Sequence, residues 1–148
     1  MAVAIQQFGV LAYQFQANDA LRLLLITSRD TRRWIVPRGN AITGMLPHES
    51  AAQEAWEEAG VTGHIGSDEI GAYPYEKRLG DATFVPAIVH LYPMQVTQQQ
   101  ADWPERGQRE TRWFTREEAA AAVDEPDLKS IIMAFKPPKD CFKASGSN

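Results

Sequence analysis

Glu57 and Glu58 stand three and four positions after Glu54 in the stretch Pro47–Ala59. On a helix, residues at those separations share a face, so a helical reading sets three carboxylates side by side. Such a face is uncomfortable. Each like-charge pair at i,i+3 or i,i+4 destabilises an isolated helix by roughly 0.2–0.5 kcal/mol. The stretch holds no lysine or arginine to offset them, and Glu57 and Glu58 fall in the last turn, where the macrodipole disfavours negative charge. Local preferences broken together are expected at functional sites. A hard divalent cation such as Mg2+ takes oxygen ligands and would relieve the conflict. A solvated acidic face is the competing reading, and the helix alone does not separate the two.

The elements that would position these groups can be read along the chain. Pro47 suits the first helical turn, where its missing N–H costs nothing. Gly60 suits the position just past the end, where a left-handed backbone is wanted. Ala51, Ala52, Ala55 and Ala59 form a separate stripe of small side chains that lets the helix approach a sheet closely. Ala4–Gln16 and Leu21–Ser28 read as two strands joined by the turn Ala17-Asn18-Asp19, the second holding the apolar run Leu23–Ile26 of a buried strand. Trp34–Val36 reads as a short strand ended by Pro37, and Arg38–Leu46 as a loop. Val61–Arg78 and Thr83–Val96 are strand-bearing, with Leu79-Gly80-Asp81 as a turn and Pro74, Pro86 and Pro93 marking edges or interruptions. Thr97–Gln108 reads as a polar loop and Glu110–Phe114 as a short last strand. Thr115 and Glu118 have capping-box spacing before the helix-forming run Glu117–Val123. Pro126 separates that run from a second helical stretch, Asp127–Phe135. The order of strands, helix, strands and helices predicts an α+β or α/β/α layered fold with a mixed sheet.

The loop before the first helix sharpens the chemistry. Gly39, five residues, Met45, seven residues, Gln53-Glu54-Ala55, one residue, Glu57-Glu58, one residue, Gly60-Val61 resembles the Nudix box, with the spacing matched throughout. Met45 stands where the pattern has Glu. Gln53 stands where it has an Arg that, in the family, helps orient and balance the catalytic glutamates. Trp34–Gly39 resembles the family's strand and loop before the helix. Leu25–Arg29, Asp102-Trp103 and Arg109–Phe114 resemble the diphosphoinositol polyphosphate phosphohydrolase branch, which also acts on diadenosine polyphosphates. The resemblance runs from about Phe8 to Phe135.

What the resemblance implies is specific. The fold would be the Nudix α/β/α sandwich, with a mixed β-sheet and the Nudix loop-helix-loop. The activity would be a metal-dependent pyrophosphohydrolase cleaving a phosphoanhydride bond in a diphosphoinositol polyphosphate or dinucleoside polyphosphate. Glu54 and Glu58, with Glu57 and the Gly39 backbone carbonyl, would hold Mg2+ or Mn2+. Glu57 is the first choice for the base that positions or deprotonates the attacking water. Glu105 and Glu110 are alternatives whose plainer reading is exposed loop carboxylates.

A polyphosphate also needs cations. Arg29, Arg32, Arg33 and Arg38 precede the acidic helix, Lys77 and Arg78 follow it, and Arg106, Arg109 and Arg112 lie near the last strand. Arginine grips phosphate oxygens with a bidentate fork. Arg29, Arg38 and Lys77, together with Ser28 and Arg109, are the expected substrate contacts; about half of the nine basic residues are read as plain surface charge. His48, His64 and His90 lack ligand spacing. Trp34 and Trp113 read as core, Trp56 and Trp103 as flanking the cleft.

The 148 residues suit one domain, 1–136, with 137–148 as a disordered tail. A lone cysteine, Cys141, forms no internal disulfide. No stretch reads as a signal peptide or membrane span, so a cytoplasmic location is expected. The net charge of -4 weighs against general nucleic-acid binding. Two other readings compete: hydrolysis of other nucleoside diphosphate derivatives or RNA 5′ ends, and a Nudix-like polyphosphate-binding module of weak activity, motivated by Met45 and Gln53. Oligomeric state is left open.

Overall fold

Leu23 and Leu25 belong to one hydrophobic cluster, and Leu24 and Ile26 to another. The apolar run read from the sequence is therefore a strand buried on both faces, which is why it lacks polar alternation. The computed structural model describes residues 3–81 and 83–137. Its elements are β1 (Ile5–Phe15), β2 (Leu21–Thr27), β3 (Trp34–Ile35), β4 (Arg38–Asn40), α1 (Pro47–Ala59), β5 (Val61–Ile65), β6 (Gly71–Arg78), β7 (Phe84–Gln99), β8 (Thr111–Thr115), α2 (Arg116–Ala122) and α3 (Pro126–Ala134).

The strands form one mixed sheet. β1 and β7 run parallel at its centre, in register from Ile5↔Ala87 to Tyr13↔Gln95. β2 pairs antiparallel with β1, β3 and β8. β4 lies antiparallel to β1, and β5 and β6 share β7. On one face α1 docks through the fully buried Ala51, Ala55 and Ala59 onto Val10, Ala12, Leu24 and Ile26. On the other face α2 and α3 bring Ala119, Val123, Leu128 and Ile132 against Leu11, Tyr13, Leu23 and Leu25. Burying Leu128 and Ile132 completely contributes about 1.5–3 kcal/mol each, enough to fasten the short α3. The result is the expected α/β/α sandwich.

The helix signals hold as read, except that Pro126, read as an interruption, is the first residue of α3, where its missing N–H is not needed. α1 carries proline in its first turn, and Gly60 closes it with φ 71°. At α2, Thr115 accepts from the Glu118 N–H while the Glu118 side chain accepts from the Thr115 N–H.

The strand limits differ from expectation in three places, each for a stated reason. Arg38–Asn40, expected as loop, is β4, and three residues are too few to show periodicity. Thr97–Gln99, expected as loop, ends β7, because its backbone pairs with β5 while its side chains stay exposed. Pro86 and Pro93 mark changes of neighbour rather than breaks in β7. Pairing with β1 begins at Ala87, and Pro93 falls between the β6 partners, which end at Leu91, and the β5 partners, which begin at Met94. Nearly all of the expected tail, including Cys141, lies outside the described residues. No described helix is long and apolar enough to cross a membrane.

Candidate active site

β4 and α1 are joined by a loop that Ser50 ties down: its buried hydroxyl accepts from the Ile42 N–H at 3.0 Å. This lays β4 against the acidic side of α1. Glu54 packs so closely on Gly39 that a Cβ there would come within 2.5 and 2.7 Å of the two carboxylate oxygens. Glu58 is only 6% exposed. Its Oε1 accepts from the Arg38 N–H at 3.1 Å, and its Oε2 lies 3.6 Å from Arg109 Nη2. The helical face read from the sequence is thus split. Glu58 follows Ala55 by three residues and borders the docking stripe, so it is buried with it.

Glu57 faces differently. Its carboxylate accepts from Gln53 Nε2 at 2.8 Å, and its backbone carbonyl accepts from the Glu105 N–H at 3.0 Å. Glu105 Oε1 in turn accepts from Arg109 Nε at 3.2 Å. Glu105 is therefore no free loop carboxylate.

Burial dominates the electrostatics. Burial pushes the Glu58 carboxyl up to about 8, opposed by Arg109 and the Arg38 N–H and reinforced by Glu54 and Glu105. Glu54 is also held above the ordinary carboxylate range, first by burial and then by the charge of Glu57, while a hydrogen bond with Glu58 pulls it down. Two carboxylates that are costly to ionise, one of them pressed on a glycine that leaves no room for a side chain, fit a hard cation. Among the described residues no group of three or more His, Cys, Asp or Glu side chains forms a complete ligand set. A pair suffices for Mg2+, which binds through one or two carboxylates and completes its shell with water and substrate phosphates.

These groups open onto a cleft of about 1060 Å³, ample for a nucleotide-sized ligand. Glu54, Glu58 and Glu105 line it; Glu57 does not. Arg29, Arg33, Arg38, Lys77, Arg78 and Arg109 line it too, whereas Arg32, Arg106 and Arg112 do not. Arg112 lies over the Trp34 ring at 4.8 Å, and Arg106 faces Asp102 at 3.8 Å.

Four of the six cleft cations are engaged by protein, Arg29 through one bond from its Nη1 to Gln108 Oε1 at 3.2 Å. Arg33 bonds Asp124 and Glu125 at 3.1 and 3.3 Å. Arg38 lies 4.1 Å over the Tyr75 ring and reaches the Tyr73 hydroxyl at 3.4 Å. Arg109, expected as a substrate contact, lines the cleft and faces Glu58, Glu105 and the Thr27 carbonyl. Arg29, Lys77 and Arg78 have no carboxylate partner among the described residues. The Ser28 hydroxyl lines the cleft but organises its own loop, accepting from the Thr31 and Arg33 N–H groups at 3.3 and 3.2 Å.

Tyr75 and Phe84, not singled out from the sequence, also line the cleft. Period two along β6 places Tyr75 on the same side as Lys77, a signal that was available. Neither Trp56 nor Trp103 stands in it. Trp56 lines a second hollow beside Met45 and His48, and the Trp103 ring packs on Gly60. His90 is held between Glu69 and Gln6, at 2.7 and 2.6 Å.

The Gly60 contact gives a stability prediction. Gly60→Ala places a side chain at positive φ and drives its Cβ to 2.5 Å from the Trp103 ring. A loss of about 1–3 kcal/mol is expected in urea unfolding, and a midpoint equal to wild type would show that Trp103 moves away freely.

Fold and site together define the class. The chain belongs to the NUDIX family, whose domain profile matches residues 6–135. It is 30% identical over 121 residues to Nudix hydrolase 16, mitochondrial, of Arabidopsis thaliana, covering 80% of this chain and 67% of that one. It is 32% identical over 111 residues to human (Homo sapiens) diphosphoinositol polyphosphate phosphohydrolase 3-beta, covering 74% and 63%. The chain spans about half to two thirds of the length of several Arabidopsis thaliana Nudix hydrolases that it matches. Among solved structures, C. elegans Ap4A hydrolase superposes with a TM-score of 0.62 at 17% identity, covering 88% of this chain and 95% of that one. The NUDIX domain of Shewanella oneidensis NrtR, solved with ADP ribose, gives 0.65 at 11%, covering 90% and 88%. At such identities the likeness speaks for the fold.

Proposed function

We propose that the chain, as one domain over 1–136, is a metal-dependent pyrophosphohydrolase that cleaves a phosphoanhydride bond in a dinucleoside polyphosphate or a diphosphoinositol polyphosphate. The observation that carries this reading is the Glu54–Glu58 pair, with Glu58 buried and Glu54 packed on Gly39, opening onto a cleft whose cations without a carboxylate partner are Arg29, Lys77 and Arg78. The names of the human and C. elegans relatives point to the same two substrate classes.

Glu54 and Glu58 would hold Mg2+ or Mn2+ beside Gly39. Bound there, the ion would lower the pKa of a water and neutralise charge on phosphate oxygens. Arg29, Lys77 and Arg78 bind the phosphate chain and align it across the cleft. Glu105 takes the role of base in preference to Glu57, because it lines the cleft and Glu57 does not. The water oxygen bonds to phosphorus, its proton passes to the base carboxylate, and the bridging P–O bond breaks with its electron pair on the leaving phosphate. Glu57, steadied by Gln53, adds negative charge beside Glu54.

The test is release of phosphate or nucleotide from dinucleoside polyphosphates, diphosphoinositol polyphosphates and nucleotide sugars, with Mg2+, Mn2+ or EDTA. Turnover of one class that EDTA abolishes, and that falls further in Glu105→Gln than in Glu57→Gln, supports the reading. Binding of polyphosphates without turnover under any metal would leave a binding module instead. Lys77→Ala should raise KM about tenfold and move kcat little, as for a lost charge-assisted bond present in both ground and transition states.

A further inference from the structure

Glu58 sits at the C-terminal end of α1, where the macrodipole opposes negative charge and where α1 has no basic residue of its own. The neighbouring Gln53, uncharged, bonds Glu57. The positive charge arrives from another part of the chain. The Gln100 N–H donates to the Gly60 carbonyl at 2.8 Å and the Glu105 N–H to the Glu57 carbonyl at 3.0 Å, while the Trp103 ring covers Gly60. The segment 100–110 is thereby laid over the helix end, satisfying carbonyls that a helix terminus leaves unpaired.

This seating delivers Arg109. The Arg109 side chain is 7% exposed, with Nη2 at 3.6 Å from Glu58 Oε2 and Nε at 3.2 Å from Glu105 Oε1. Its Nη1 donates to the Thr27 carbonyl at 3.2 Å. Thr27 is itself fixed at the end of β2: its N–H donates to the Glu110 carbonyl at 3.1 Å, and its hydroxyl accepts from the Glu110 N–H at 2.9 Å. The guanidinium is thus pinned to the sheet and spans two cleft carboxylates.

We propose that Arg109 is a positioning residue: it holds Glu58 and Glu105 in a fixed relation and supplies from segment 100–110 the countercharge that residue 53 does not carry. This rests on reading Glu54 and Glu58 as the divalent-cation pair. A planar fork anchored on three sides orients two carboxylates at once, which a lysine's point charge does not. Because Arg109 acts through Glu58, its loss and the loss of Glu58 overlap rather than multiply.

The experiment uses the full chain as wild type, Arg109→Gln, Arg109→Lys, Glu58→Gln and the Arg109→Gln/Glu58→Gln double variant. Steady-state turnover is measured on the best substrate of the panel, and Mn2+ affinity by calorimetric titration without substrate. Arg109→Gln should lower kcat at saturating Mn2+ by about tenfold or more, raise KM less than about threefold and weaken Mn2+ binding by about threefold or more. Added to Glu58→Gln, it should change turnover by less than about threefold. Should Arg109→Gln not fold, Arg109→Lys carries the test, with a smaller fall of the same kind. A loss expressed in KM, losses that multiply, or Mn2+ affinity equal to or tighter than wild type would each overturn the proposal. A wild type that neither binds Mn2+ nor turns over any substrate overturns the metal reading, and this proposal with it.

Discussion

Glu58→Gln costs turnover roughly 100-fold or more, since altering even the groups that support a metal ligand costs 10–100-fold, yet above pH 8 the variant is more stable than wild type. The two effects have one cause. Glu58 is buried, and burial raises its carboxyl to about 8 in the folded chain, against 4.5 for an ordinary glutamate. Between those values the folded state keeps a proton that the unfolded state has released. Stability therefore falls as pH rises through that window, and the whole cost of burying the charge is present above about 8. Glutamine has the same shape and nothing to ionise. Its carbonyl oxygen still accepts the Arg38 N–H, and Arg109 keeps Glu105 as its partner. In thermal melts without metal, Glu58→Gln should match wild type near pH 5 and exceed it at pH 9, by an amount on the order of a few kcal/mol. A variant less stable than wild type at pH 9 would mean that Arg109 compensates the ionised carboxylate in full. A variant that keeps its turnover would remove Glu58 from the chemistry.

Gly39→Ala addresses the same pair through the backbone. The added methyl would meet the Glu54 carboxylate at once. A small side chain should therefore displace Glu54 and weaken Mn2+ binding about tenfold or more, as expected when a ligand is moved off its geometry. Calorimetric titration reads this directly, and unchanged affinity would show that Glu54 need not lie against Gly39.

What was legible in the sequence is what local chemistry writes there. Pro47 and Gly60 mark the ends of α1 because missing N–H groups and left-handed backbone are properties of single residues. The alanine stripe and the doubly buried Leu23–Ile26 follow from periodicity. The nearness of Glu54 to Gly39 was legible from spacing once the upstream loop was included. Glu58 was placed on the presenting face, although its angle on the helix puts it at the border with Ala55, and only packing shows it buried. Arg109 was read as a phosphate contact because arginine near a phosphate site usually is one. Its neighbours within the fold, Glu58, Glu105 and Thr27, come from three separate segments, and no local pattern announces such a meeting. The same holds for Arg33 and Arg38, whose partners lie on α3's approach and on β6.

Metal affinity should climb steeply with pH and then level. If Glu58 carries a proton in the free protein below about 8, a cation entering the pair must displace it, because a coordinating carboxylate is deprotonated. One proton exchanged for one ion makes the apparent affinity rise about tenfold per pH unit, or roughly 100-fold between pH 6 and pH 8, with a plateau above. The raised Glu54 adds to the slope at the acid end of the range. Titrating Mn2+ into the free protein in buffers of differing ionisation heat counts the released protons directly. Near one proton per ion at pH 7 and close to none at pH 9 is the expected result. In Glu58→Gln the proton count at pH 7 should fall toward zero and the pH dependence should flatten. Affinity independent of pH in the wild type would place the cation on carboxylates already ionised, and so away from Glu58. The physical link is that a site dry enough to hold Glu58 protonated is also dry enough to strengthen its attraction for a cation, so the cost seen in the free chain and the affinity seen with metal should rise and fall together across variants of this pair.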